Sequence, residues 1–281
     1  MAVVITSDST CDLNDLVKKR NIEIVPLKVN LDMEEYYDGV NITPQDIFAF
    51  VEKTKILPKT SAASVLDYQE FFEKFVKEGK EVVHFNISEK CSVSHNNAKT
   101  AAQDFNGKVH VIDSMALSSG QGLLVLKAAD LRDEGKTADE IEEIILALRE
   151  RVNTSFVPDC LDYLHKGGRV SALTMYGANL LKIHPQILMQ KGQLVPGKKY
   201  RGKMTICIKQ YIEDLKQMYL SYDKTRCFVT HSMADRALVE EAKQKVKELF
   251  AFDEVIETVA GSIITSHCGK GTLGVLFIYN N

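Results

Sequence analysis

The sequence has no C-x-x-C pair, no H-E-x-x-H and no apolar run long enough to cross a bilayer. Its six cysteines (Cys11, Cys91, Cys160, Cys207, Cys227 and Cys268) are scattered. A chain of 281 residues needs no covalent staples, so they read as buried thiols or loop residues and not as a disulfide framework. The seven histidines show none of the spacing of a zinc site, and no metal or cofactor is expected. Charge of one sign is missing too: 35 basic and 38 acidic residues leave a formal charge of -3. That gives no nucleic-acid footprint, so any basic site must be local. The N-terminal stretch reaches Asp8 before a signal-peptide core could form. A soluble, cytoplasmic protein with no stable membrane insertion is expected, acting as a monomer.

What the sequence does have is a set of hydroxyl- and glycine-rich segments at the ends of apolar runs. They are Ser7 to Thr10, Pro58 to Ser64, Ser92-Val93-Ser94, Asp113-Ser114, Ser118 to Gly122, Gly167-Gly168-Arg169 and His267 to Gly271. Hydroxyls and bare backbone bind anions through neutral donors. No complete nucleophile set accompanies them, which points to holding a charged group more than to breaking a bond.

Hydrophobic residues make up 45% of the chain, enough for a substantial core. Through the first half, short apolar runs alternate with helical patterns. Val3 to Ile5, Ile22 to Leu31, Glu81 to Ile87 and Lys108 to Ile112 read as strands, with Pro26 marking a strand end or edge. Asp12 is placed to cap a helix over Leu13 to Arg20. Thr43-Pro44-Gln45-Asp46, Ser64-Val65-Leu66-Asp67 and Thr137-Ala138-Asp139-Glu140 carry the cap-plus-acid signal of helix starts. This alternation predicts a mostly parallel α/β sheet. Such a sheet binds ligands beyond its strands' carboxyl ends, where the loops Ser7 to Thr10, Ser88 to Ser94 and Asp113 to Gly122 fall.

The pattern changes near residue 155. Ile187 to Gln190 and Gln193 to Val195 are joined by the turn signal Lys191-Gly192. Helices near Met204 to Leu220 and Met233 to Phe250 then alternate with strands near Cys227, Val255 and Leu273. The expected organisation is α/β: residues 1–154 as a parallel α/β domain carrying the binding rim, and 155–281 as an α+β domain. With no linker between them, the ligand site is expected at their interface.

Enzyme-like motifs are incomplete. Gly197 to Lys203 matches the start of a P-loop, but Met204 stands where a magnesium-binding hydroxyl belongs. Ser119-Gly120-Gln121-Gly122 lacks the first glycine of a nucleophile elbow. Cys268 lies beside His267, but no orienting Asp or Asn is near it in sequence. The basic residues Lys191, Lys198, Lys199, Arg201 and Lys203 read as a solvated hairpin face. With Lys166, the glycine-flanked Arg169 and Arg201 could instead converge on a phosphate or an acidic partner. Thr60 and Ser92, taken singly, read as cap or turn hydroxyls.

The ordered set of motifs resembles the DegV family. It comprises Asp8-Ser9-Thr10-x-Asp12-Leu13, Asp38-Gly39, Leu57-Pro58-Lys59-Thr60-Ser61-x-x-Ser64, Ser88-x-Lys90-x-Ser92 and Val111-Ile112-Asp113-Ser114. Gly120-Gln121-Gly122, Leu161-x-Tyr163-Leu164-x-Lys166-Gly167-Gly168-Arg169 and His267-x-Gly269-x-Gly271-x-x-Gly274 complete it. The resemblance implies a two-domain protein that binds a long-chain fatty acid, the FakB-type carrier subunit of bacterial fatty acid kinase. By that resemblance it is not an enzyme itself; a separate ATP-binding subunit phosphorylates the carboxylate it presents. Thr60 and Ser92 would hold that carboxylate, with Ser61 adjacent and His267 completing the polar end; beside a carboxylate the cationic imidazole would be favoured. Arg169 and Arg201 would meet the kinase subunit and the phosphoryl group. One departure stands out: where the family reads Ser-Gly-Thr-Tyr, this chain has Ser92-Val93-Ser94-His95. The alternatives are a lipid-sensing regulatory module, and an enzyme handling a phosphorylated, nucleotide or acyl substrate at the same rim.

Overall fold

The computed structural model describes residues 2–170 and 183–280; Ser171, which follows the glycine-arginine segment, lies outside them. The first half runs β1 (Val3–Asp8), α1 (Leu16–Lys19), β2 (Ile22–Val25), β3 (Lys28–Leu31), β4 (Glu34–Tyr37), α2 (Pro44–Thr54), β5 (Lys59–Ser61) and α3 (Val65–Val76). It continues through β6 (Glu81–Asn86), α4 (Ser94–Ala102), β7 (Val109–Asp113), α5 (Ser119–Asp133) and α6 (Ala138–Leu148). The second half holds β8 (Val152–Asn153), β9 (Ser155–Val157), α7 (Asp162–Gly167), β10 (Ile183–Gln190), β11 (Gln193–Arg201) and α8 (Met204–Met218). It ends with β12 (Tyr222–His231), α9 (Arg236–Leu249), β13 (Glu254–Val259), α10 (Ser262–Cys268) and β14 (Leu273–Tyr279).

The expected parallel sheet is present, in the order β2-β1-β6-β7 with every pairing parallel. Residues 82–86 of β6 are all buried, as befits a strand covered on both faces. The carboxyl ends of these strands bring Asp8, Asn86 and Asp113 to one rim. All three predicted capping boxes form, at Thr43 with Asp46, Ser64 with Asp67 and Thr137 with Glu140. Pro26 divides the apolar run from Ile22 to Leu31: β2 joins the parallel sheet, while β3 joins a small antiparallel sheet ordered β4-β3-β5. That small sheet carries Thr60.

The second sheet is ordered β11-β10-β9-β14-β12-β13, with β8 also on β14. The Lys191-Gly192 turn closes the predicted hairpin of β10 and β11. Of the P-loop-like run Gly197 to Lys203, the first five residues, Gly197 to Arg201, are part of strand β11, so their amides are not gathered into a phosphate loop.

Helix α5 joins the halves. Residues Ser119 to Leu126 are all buried, so its first two turns have no solvent face, while Asp133 at its end is exposed. A side chain at Gly122 would meet the Cys11 carbonyl at 2.6 Å, and one at Gly120 would meet Thr154 Oγ1 at 2.1 Å. The Gly-Gln-Gly motif is therefore a close-packing device, with Gly122 against the Cys11 turn and Gly120 against Thr154 in the link between β8 and β9. Ser119 itself is buried and bonded to Thr230, which removes it as a nucleophile. A single apolar cluster runs from Ile5 and Phe85 through Leu123 and Leu126 to Val152, Phe228 and Leu276.

Asp12 does not cap a helix. Its backbone is left-handed at φ 48°, α1 begins only at Leu16, and the Asp12 carboxylate turns away to Ser118 Oγ and the Gly261 amide. Among the described residues the cysteines form no disulfide, and no helix is long and apolar enough to cross a membrane.

Candidate functional site

A cavity of about 470 Å³ opens where the rim of the parallel sheet meets β5, α7 and α10. Thr60, Ser61, Ser92, Arg169 and His267 all line it. Deeper in, Leu117, Leu164, Leu194, Ile264 and His267 are shared with a second, narrow space of about 60 Å³ that runs between the sheets to Phe156 and Leu276. The arrangement is a polar mouth continued by an apolar slot.

Each side chain reaches the mouth for a local reason. Thr60 sits on β5, opposite Val29 of β3. His267 is in the last turn of α10, and its Nε2 lies 2.8 Å from Thr60 Oγ1. With the proton on Nε2, the imidazole donates to Thr60 and leaves the threonine hydroxyl proton for an acceptor in the cavity. Nδ1 is buried with no hydrogen-bond partner among the described residues. Burial, followed by the nearby Arg169 charge, pushes the His267 pKa down to about 4. The protein's own groups therefore favour the neutral ring at pH 7; the imidazolium is expected only beside a carboxylate. Arg169 and Lys90 are the cationic side chains lining the cavity.

Ser92 lies in the loop between β6 and α4. Its Oγ is 2.9 Å from Ser94 Oγ and accepts the Ser94 amide at 3.2 Å. Behind the buried Ser94 stands Tyr68, whose hydroxyl accepts from Asn86 Nδ2 at 2.9 Å. Asn86 also donates to Asp8 at 3.2 Å. Asp8 is wholly buried, and it accepts further bonds from Thr10, Gln121 and the Ile87 amide. Burial raises its pKa against those donors. This polar scaffold anchors the loop beneath Ser92; the sequence showed its members but not their connection. Asn97 Nδ2 ties the start of α4 to the Ala63 carbonyl at 2.8 Å, linking the Ser92 and Thr60 segments. The tip of the β10–β11 hairpin closes over the same loop, with Ser88 Oγ donating to the Gly192 carbonyl at 2.7 Å.

The remaining predicted residues divide. Ser61 lines the mouth, with its Oγ accepting from Asn30 Nδ2 at 3.1 Å. Arg169 is exposed at the cavity edge and donates to the Gly167 carbonyl at 2.7 Å. Arg201 ends β11, exposed and opposite Ile183, and is not among the residues lining this cavity. Within the basic hairpin face, Lys198 pairs with Asp214 at 2.7 Å. Cys268 is buried, with its thiol pushed up to about 12, so it is no nucleophile.

One group among the described residues could hold a metal ion: His110, Asp139 and Glu142 bring ligand atoms within 4.8 Å of one another. None of the three lines the cavity. His110 Nδ1 already lies 2.7 Å from Glu142, which raises the imidazole pKa.

A family model described as "Uncharacterised protein, DegV family" matches residues 2–280. A DegV domain-containing protein of Clostridium acetobutylicum is 31% identical over 278 residues, covering 98% of both chains. A protein of Thermotoga maritima named as a fatty acid-binding protein is 31% identical over 284 residues, covering 98% of this chain and 96% of the other. Among solved structures, a fatty-acid-binding DegV family protein of Thermus thermophilus superposes over all of both chains, with a TM-score of 0.89 and 29% identity.

Proposed function

The chain belongs to the DegV family, and we propose that its cavity binds one long-chain fatty acid. The carboxylate lies at Thr60, Ser61, Ser92 and His267, and the tail runs into the slot between residues 1–154 and 155–281. The observation that carries this reading is the Thr60–His267 pair at the polar end of a cavity whose depth is walled by leucine and isoleucine. It is supported by the Thermotoga and Thermus relatives, both described as fatty-acid-binding.

Energetics fit that division. Burying a chain of about sixteen carbons at roughly 0.8 kcal/mol per methylene gives on the order of 12 kcal/mol before ordering costs. The tail supplies affinity, and the head group needs only to be oriented. Hydroxyl donors satisfy a buried carboxylate while leaving an oxygen free to react, which a bidentate arginine would not.

We further propose that the protein is a carrier and not an enzyme, and that it presents the carboxylate to a separate ATP-dependent kinase subunit in the cytoplasm. There a carboxylate oxygen attacks the γ-phosphorus of ATP, the bond to ADP breaks, and an acyl phosphate forms. Arg169 at the cavity edge and the exposed Arg201 are the candidates for contact with that subunit and the transferring phosphoryl group.

The test is mass spectrometry of the purified protein under native and denaturing conditions, followed by reconstitution with a fatty acid kinase subunit and ATP. A co-purifying fatty acid, then acyl phosphate dependent on both proteins, is the expected outcome. Bound lipid without phosphorylation would leave a lipid sensor. No bound lipid and no binding of added palmitate would overturn the reading.

A further inference from the structure

Helix α10 carries His267, Ile263 and Ile264 into the cavity, yet what grips its amino end comes from the opposite end of the chain. The Gly261 amide donates to Asp12 Oδ1 at 2.8 Å, and the Ser262 amide donates to Asp38 Oδ1 at 2.7 Å. Ser262 Oγ reaches the Ile42 carbonyl at 3.3 Å. Just before the helix, Asn14 makes a two-way pair with the Val259 backbone, at 2.8 Å and 3.0 Å. Asp12 and Asp38 are only 4% and 3% exposed. A side chain on Gly261 would lie 3.1–3.2 Å from oxygens of both carboxylates. At the carboxyl end Gly269, at φ 78°, packs against the ring of Tyr163, which a side chain there would meet at 2.7 Å.

A helix of seven residues held at both ends is a short rigid bar. At about 1.5 Å per residue, His267 sits only about 7 to 8 Å along the axis from the Ser262 amide. A slip or rotation at the Asp38 end is therefore passed to the imidazole nearly undiminished. A hydrogen bond such as that between His267 Nε2 and Thr60 does not survive much displacement. Neither Asp12 nor Asp38 lines the cavity or its slot.

We propose that Asp38, with Asp12, is a positioning residue for the head-group site, setting the register of α10 so that His267 meets Thr60. This rests on the fatty-acid reading of the cavity. Both carboxylates act through the helix and touch no ligand. Their effect should therefore fall on recognition of the carboxylate and spare the tail.

The experiment compares binding of palmitate and of 1-hexadecanol, which share a tail and differ at the head. Wild type, Asp38→Asn, Thr60→Ala and the double variant are measured, with thermal melts and near-UV circular dichroism to establish folding. Asp38→Asn keeps one acceptor for the Ser262 amide but turns the other carboxylate oxygen into an NH2 donor. It should lower the preference for acid over alcohol about tenfold, the scale of one weakened hydrogen bond to a charged group. Hexadecanol affinity should hold. In the Thr60→Ala background the same change should add little further loss of preference, since the contact it positions is already gone. Independent, multiplying effects, or a folded Asp38→Asn with unchanged preference, would overturn the proposal. A wild type that binds both lipids without preferring the acid would overturn the head-group reading and this inference with it. Should Asp38→Asn not fold, Asn14→Ala, at an exposed residue of the same clamp, is taken through the same cycle with the same criteria.

Discussion

His267 allows a prediction whose size follows from its surroundings. An imidazole with an ordinary pKa of 6.5 is held down to about 4 by burial and by Arg169. The unfolded chain therefore takes up this proton more readily than the folded one. Stability from the neutral ring is fully present above pH 6.5 and is lost as pH falls toward 4. The full difference is up to about 3 kcal/mol. Two other groups of changes overlap that window. His84, wholly buried and lowered to about 3, acts in the same direction. Asp8, Asp12 and Asp38, all raised by burial, act in the opposite one, because their folded forms hold protons that the unfolded chain has released. The raw pH profile is thus a sum, and the informative quantity is the difference between wild type and His267→Gln in urea melts at pH 7.5, 6 and 4.5. The glutamine variant, with no titrating ring, should lose less stability on acidification, and the gap should change by about 2 kcal/mol or more across the series. A bound carboxylate beside the ring should raise the His267 pKa. Palmitate binding near pH 5 should then take up a fraction of a proton, visible as a buffer-dependent calorimetric enthalpy. A wild-type-minus-variant difference that is flat from pH 7.5 to 4.5 would refute the reasoning.

Alanine at both Thr60 and Ser92 should weaken palmitate binding while the circular dichroism spectrum stays native, since each lost hydrogen bond to a charged group is worth roughly 1.5–3 kcal/mol. Arg201→Ala should cut acyl-phosphate formation with a kinase subunit present and leave palmitate affinity unchanged. Arg169→Ala, at a residue that lines the cavity mouth, should reduce both, and both arginine effects should shrink with added salt. Gly192 holds a φ of 78°, and a methyl there would lie 2.6 Å from Ser88 Oγ. Gly192→Ala should therefore cost about 1–3 kcal/mol in thermal denaturation and loosen the Ser92 loop enough to weaken palmitate binding.

The parts of this fold that were legible in the sequence are those whose partners are near in the chain. The boxes at Thr43, Ser64 and Thr137 are closed by an acid three residues on, and the Lys191-Gly192 turn joins strands that flank it. Asp12 shows where such reading fails. An acid before an apolar run looks the same whether its acceptor serves the next helix or the Gly261 amide 249 residues away. Strands β4 and β5 are four and three residues long, with too little alternation to register. The Thr60–His267 contact spans 207 positions, so only the family resemblance put the two side chains in one set. The downward pull on the His267 pKa was not legible because burial and the approach of Arg169 are properties of the fold and not of the flanking residues. Ser94 and Asn97 were visible as polar residues in a departing segment, but nothing local tied them to Tyr68 or Ala63.

The packing of α5 bears on how this molecule comes apart. A helix whose residues 119–126 are all buried belongs to neither sheet alone, and its two glycines pack directly against Cys11 on one side and Thr154 on the other. Peeling the sheets apart would expose Leu123, Phe228 and Leu276 together, so there is no inexpensive half-folded state in which one sheet survives on its own. The two halves are therefore expected to melt as one cooperative unit, with calorimetric and van't Hoff enthalpies in agreement. Cutting the chain between them would leave two fragments that each lack a wall, rather than two small proteins.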